Sequence, residues 1–164
     1  MLEHKIDFMV TLEVKEANAN GDPLNGNMPR TDAKGYGVMS DVSIKRKIRN
    51  RLQDMGKSIN AYFAEKTGFS QEDAEAIKEV LVSLCENDAS SARPEGSMRV
   101  CEVFWFTHSS KLGNVSSARV FDLLEYHQSI EEKSTYDAYQ IHLNQEKLAK
   151  YEAKGLTVEI LEGL

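Results

Sequence analysis

Apolar side chains recur at every second position between His4 and Lys15, at Ile6, Phe8, Val10, Leu12 and Val14. Period two puts successive side chains on opposite faces of an extended chain, so this stretch is predicted to be a half-buried strand. The pattern then stops. Ala17 to Met39 is rich in glycine, proline and asparagine with almost no periodic apolar signal, which predicts a long glycine-rich loop. Loops of this length inside a compact domain are usually functional. Ser40 and Asp41 are N-cap candidates for a helix running to about Met55, with Gly56 as its stop. On it Ile44, Ile48, Leu52 and Met55 fall within about 80° of one another, forming a core stripe. Lys45 and Arg49 line one flank of that stripe, Lys47 and Arg51 the other, and Arg46 points away from it.

Further on, Ile59 to Phe63 is a short apolar stub. Ser70 with Asp73 reads as the box-like start of a second helix, Gln71 to Glu86, whose Ala74, Ile77, Leu81 and Leu84 share one face. Met98 to Thr107, rich in Val, Phe and Trp, is predicted as a second strand. A loop (His108 to Ser116) and a helix of about Ser117 to His127 follow. Tyr139, Ile141 and Leu143 alternate as one strand, Leu156, Val158 and Ile160 as another, with a short helix from Lys147 to Lys154 between them and Gly155 ending it. No linker long enough to divide the chain occurs, so one domain is expected across the 164 residues.

Composition adds limits rather than an answer. With 41% hydrophobic and 28% charged residues the chain belongs with ordinary globular domains, away from disordered and fibrous classes. A net charge of −6 argues against bulk attraction to nucleic acid or to an anionic membrane, so a polyanion would have to be held by a local patch. Cys85 and Cys101 form one bridge at most, Met1 to Lys15 lacks the layout of a signal peptide, and no apolar run approaches the roughly 20 residues that span a bilayer. A cytoplasmic setting without membrane contact is the expectation.

The strongest local chemistry is cationic: Lys45, Arg46, Lys47, Arg49 and Arg51 crowd into one helix. Like charges four residues apart cost a few tenths of a kcal/mol per pair unless an anion offsets them. Two readings stand: a solvated flank whose long stems cover the core edge, or a phosphate-binding face. The preceding loop favours the second, because Asn18, Asn20, Gly21, Asp22, Gly26, Asn27, Arg30, Gly35 and Gly37 supply amides and closely approachable backbone beside the cations. Asp22 and Asp32 would be needed for metal-assisted RNA cleavage, although turn-forming aspartates explain them more simply. Gly56-Lys57-Ser58 has the ending of a phosphate-binding loop but lacks its first glycine and follows a helix, so that reading is rejected. His4, His108, His127 and His142 show no metal-ligand spacing and are read as surface or strand-end residues. Phe104, Trp105 and Phe106 are candidates for base stacking, with core packing the expected fate of at least two. No nucleophile motif is present, and no enzyme activity, cofactor or metal is expected.

Several runs together resemble one family. They are Asn18-Ala19-Asn20-Gly21-Asp22-Pro23, Gly26-Asn27-Met28-Pro29-Arg30-Thr31-Asp32, Gly35-Tyr36-Gly37 and Ser40 to Asn50, followed by Phe63-Ala64-Glu65-Lys66-Thr67-Gly68-Phe69, Ser91-Ala92-Arg93 and Ser110-Lys111-Leu112-Gly113-Asn114. This set resembles the backbone subunit of the type I-C CRISPR Cascade, a guide-RNA-binding protein of the RAMP superfamily. The resemblance implies an α+β fold built on a ferredoxin-like, RRM-type palm, an antiparallel sheet with helices on one face. It also implies polymerisation along CRISPR RNA with other Cascade subunits, target DNA being met through guide pairing, and no nuclease activity. The RNA-contacting residues it implies are Asn18, Asn20, Arg30, Lys45, Arg46, Lys47, Arg49, Arg51 and Arg93. Family members are considerably longer, and the segment joining the first helix to Ile59-Asn60-Ala61-Tyr62 is missing around Gly56 to Ser58, so the palm is expected to be incomplete by an internal deletion near residues 56–59. The alternatives are a metal-dependent RNA-cleaving subunit and an interaction remnant that no longer binds RNA.

Overall fold

The computed structural model describes residues 1–57, 68–127 and 135–164. Strand β1 (Ile6–Val14) forms where the period-two run predicts it. The glycine-rich stretch is more ordered than a plain loop: β2 (Gly21–Asp22) pairs antiparallel with β3 (Met28–Pro29) around a single 3-10 turn, Pro23–Asn25. Asp22 caps that turn by accepting from the Leu24 N–H at 3.1 Å, and Gly26 closes it in the left-handed region at φ +58°, which a side chain would strain. Helix α1 (Asp41–Asp54) starts at Ser40, whose hydroxyl accepts from the Ser43 N–H, and α2 (Gln71–Val82) at Ser70 with a complete capping box to Asp73. Then follow β4 (Met98–His108), α3 (Ser117–Phe121), β5 (Leu124–Glu125), β6 (His142–Leu143), α4 (Gln145–Glu152) and β7 (Leu156–Glu162).

β4 is the middle of a three-stranded antiparallel sheet in the order β1-β4-β7. Val103, Phe104, Trp105 and Phe106 are consecutive and all buried, so both faces of this strand are covered. On one face Val100, Val103 and Trp105 pack with Leu52 of α1 and Ala74, Val80, Leu81 and Leu84 of α2 and its exit. On the other, Phe104 and Phe106 pack with Val115, Val120, Leu123, Leu143, Leu148 and Leu156. A bulge keeps this sorting in register: Thr11 opposes Glu102 and Leu12 opposes Val100, which leaves Cys101 as the extra residue. Helices on one face are therefore not what the chain adopts; α1 and α2 cover one side, α3 and α4 the other. The physical reason is the unbroken apolar run of β4, which needs two apolar walls.

Three expected elements are shorter than their patterns: α2, expected to reach Glu86, ends at Val82, and two more fall short further on. The helix from Ser117 ends at Phe121, and the chain extends into β5 to pair with β6, Leu124 opposite Leu143. Of the alternating Tyr139-Ile141-Leu143 run only His142–Leu143 is strand, because Tyr136–Tyr139 is a 3-10 turn. The apolar stub at 59–63 and residues 58–59 of the expected deletion point lie outside the described residues. Cys85 and Cys101 are both free thiols. No helix among the described residues is long and apolar enough to cross a membrane.

His108 ends β4 but is buried, and its Nδ1 accepts from the Asn114 N–H at 3.0 Å, so Nε2 carries the proton and donates to Asp7 at 2.9 Å. Burial pushes the Asp7 carboxyl up, but hydrogen bonds from Lys5, His108 and Ser117 outweigh it and hold the group below its usual range. A depressed carboxyl stabilises the fold above its unfolded value, about 3.9, and that stabilisation is lost as pH falls through the folded value. Asp7→Asn is expected to lower the melting temperature at neutral pH, with the gap to the wild type closing below about pH 4. Thermal melts of both proteins across that range check it.

Candidate nucleic-acid interface

The two flanks of α1 have different fates because only one meets the rest of the fold. Lys47 is 6% exposed and forms an ion pair with Asp88, in the turn after α2. Arg51 donates from Nε to the Ser83 hydroxyl at 2.9 Å. These two cations dock the helix. On the opposite flank Lys45 reaches Asp41 one turn back at 3.3 Å, and its hydrogen bond is the first cause that holds the Asp41 carboxyl below its usual range. Arg46 and Arg49 are exposed and make no ion pair among the described residues. The apolar stripe sits where its spacing predicts, with Ile48, Leu52 and Met55 packed into the α1–α2 side of the core.

Arg93 donates from Nε to the same Asp88 carboxylate at 3.1 Å. Asp88 thus ties the 88–93 turn to α1. Asn20 ties the β2–β3 hairpin to α1 from the other side, its Oδ1 accepting from both the Ser40 N–H (2.8 Å) and the Ser40 hydroxyl (2.9 Å). The result is a polar cleft of about 280 Å³ lined by Asn20, Ser43, Arg46, Lys47, Asn50, Asp88 and Arg93. Four of the nine expected RNA contacts, far apart in sequence, converge there. Replacing Asn20 with alanine removes the tether on the α1 cap and is expected to cost about 1 kcal/mol, read as a shift in urea midpoint at unchanged m-value.

Asn18 and Arg30 lie on the other side of the hairpin, lining a groove of about 290 Å³ to which Asn20 also contributes. Asn18 closes the hairpin by donating from Nδ2 to the Asn27 carbonyl at 2.8 Å. Arg30 is held by one long contact to Asp22, 3.5 Å, while its Nε has no acceptor. Asp22 and Asp32 are both spent on turns: Asp32 Oδ1 accepts from the Lys34 and Tyr36 N–H groups at 2.8 and 2.9 Å. The described residues hold no group of three His, Cys, Asp or Glu side chains placed to bind a metal. Phe104, Trp105 and Phe106 are all core residues, Trp105 stacked on Phe8 at 6.1 Å with the Lys78 ammonium 5.2 Å from its ring centre. With both faces of β4 covered, these three aromatics offer no platform for bases.

A sequence model of the family described as CRISPR-associated protein Cas7 matches residues 4–59 and again 55–144, most of the chain. This chain belongs to that family. A relative from Haloferax volcanii, itself named CRISPR-associated protein Cas7, is 33% identical over 86 residues. The aligned stretch is 52% of this chain and 25% of that relative, so the present Cas7-family chain spans only part of the length of a curated member. The first matched block contains the glycine-rich hairpin and α1; the second contains Asp88 and Arg93. Both halves of the polar cleft therefore lie within family-matched sequence. Sequence reading found its cations but missed Asp88, which organises them, because nothing local links a residue in an acidic turn to a lysine 41 positions away.

Proposed function

We propose that this chain is a shortened backbone subunit of a type I-C Cascade surveillance complex in antiviral defence, which holds the phosphate backbone of the guide RNA and does no catalysis. It works beside copies of itself and other subunits on a ferredoxin-like palm, and target DNA is met by pairing with the exposed guide bases. The observation that carries this reading is the cleft itself. On a chain of net −6, Arg46 and Arg93 converge beside Asn20, with Arg49 exposed on the same helix, and the chain belongs to the Cas7 family. Arg46 and Arg49, exposed guanidiniums without carboxylate partners among the described residues, suit phosphate, to which they can donate in pairs, while Arg93 is held in place by Asp88. Arg30, whose guanidinium makes one long ionic contact to Asp22, adds a further cation at the hairpin.

Absence of a segment near residues 56–59 is part of the same proposal. It is supported by two matched blocks that meet at 55–59 and by the small share of the relative that aligns. The nuclease alternative gains nothing from Asp22 and Asp32, whose carboxylates serve turns. Size-exclusion chromatography with guide RNA at low salt tests the proposal: protein and RNA are expected to co-elute. Separate elution would favour the interaction remnant.

A further inference from the structure

β1 is an edge of the three-stranded sheet, and its backbone divides by parity. The His108 N–H donates to the Lys5 carbonyl at 2.9 Å and the Lys15 N–H to the Ser97 carbonyl at 2.8 Å, so odd-numbered residues bond toward β4 at both ends. The N–H and C=O groups of Ile6, Phe8, Val10 and Leu12 therefore point out of the sheet edge, where no described strand pairs with them. An open edge of this kind is a template for a further strand. It is nine residues long, holds no proline, and the bulge beside it takes its extra residue from β4. Its even-numbered side chains are all apolar, and Phe8 is 38% exposed. At the far end Leu12 and Val14 each line two grooves, of about 420 and 290 Å³, so a neighbouring chain has room beside them.

The strand is also complementary to itself. When two copies of β1 meet edge to edge, the outward backbone groups require even-numbered residues to face even-numbered ones, which leaves few antiparallel registers. Centred on Met9, Lys5 faces Glu13, Ile6 faces Leu12, Asp7 faces Thr11, Phe8 faces Val10, and Met9 faces its own copy. Opposite charges meet on either side of the axis, apolar residues meet apolar ones, and no like charges meet. Moving the axis to Val10 sets Lys5 against Lys15 and Asp7 against Glu13; moving it to Thr11 sets Met9 against Glu13. We propose that β1 is a homodimer edge, which pairs antiparallel about Met9 with β1 of a second copy and joins two three-stranded sheets into one of six strands. Such a contact uses the same surface on both copies and closes at two, so it is distinct from polymerisation along RNA and does not rest on the RNA reading.

The test uses the full chain without RNA. Sedimentation velocity is expected to show the wild type passing from monomer to dimer, and no further, as concentration rises. Met9→Cys is expected to form a disulfide-linked dimer under mild oxidation, because a non-hydrogen-bonded pair at the axis brings its Cα atoms to about 4.5 Å, within disulfide reach. The wild type, with Cys101 buried and Cys85 half-buried, is expected to form none. Thr11→Cys is expected to stay unlinked, since Thr11 faces Asp7 rather than its own copy. Val10→Pro removes an outward N–H without touching the β4 ladder and is expected to be a monomer that still melts cooperatively. If Val10→Pro does not fold, the comparison of Met9→Cys with Thr11→Cys decides alone. A wild type that is monomeric at every concentration overturns the proposal, as does a folded Val10→Pro that stays dimeric or linking of Thr11→Cys in preference to Met9→Cys. Assemblies larger than a dimer, which β1 pairing with β7 of the next copy would build, overturn it as well.

Discussion

Asp88→Ala is expected to destabilise the fold by about 3 kcal/mol, out of a total of roughly 5–15 kcal/mol for a domain of this kind. Lys47 is 6% exposed and its ammonium is held by the Asp88 carboxylate. Removing the carboxylate leaves a buried positive charge without its counter-ion, and the cost is that of the stranded charge rather than of the pair. Arg93 loses its acceptor in the same step, so the 88–93 turn detaches from α1 and the cleft opens. The melting temperature is expected to fall by roughly 6–12 °C. Adding Lys47→Met to Asp88→Ala should return most of the loss, because the methionine stem fills the same space without a charge to strand. Calorimetry on the single and double variants measures both quantities.

Arg46→Ala combined with Arg49→Ala is expected to do the opposite: leave stability within about 0.5 kcal/mol of the wild type and weaken guide-RNA binding by between tenfold and about a hundredfold. Both side chains are exposed on the outer side of α1 and neither has an ion-pair partner among the described residues. Their removal costs the fold nothing and costs a phosphate ligand two charged donors. Lys47→Ala or Arg51→Ala would not make this distinction. Those side chains dock α1 to the α2 exit, so losing them perturbs the fold and the surface together. The five cations of one short run thus divide by helix face into fold-holding and surface sets.

Much of the fold was legible because the period was strong. β1, α1, the capped start of α2 and the strand ending in β7 lie where alternation, stripe spacing or a cap residue puts them. The β2–β3 hairpin was not, since its strands are two residues each and are made by turn chemistry at Asp22 and Gly26 rather than by apolar pattern. The helix from Ser117 stops short of its pattern because that pattern competes with a non-local pairing, Leu124 with Leu143, that local spacing cannot express. Two-sided burial of the sheet was written in the Val103 to Phe106 run, and the one-faced arrangement implied by resemblance gave way to it. At the cleft, the cation positions were legible and their partners were not. Asp88 and the Asn20 contact to Ser40 depend on tertiary closure.

The central claim is that a local cation face on an acidic protein holds an RNA backbone. It is tested most directly by the slope of log affinity against log salt for single-stranded guide RNA, measured by fluorescence anisotropy on the wild type and on the Arg46→Ala, Arg49→Ala double variant. Each phosphate contact on a single strand contributes about 0.7 to that slope, so the variant is expected to be flatter by about 1.4. Identical slopes for the two proteins, or no salt-dependent binding by the wild type, would contradict it.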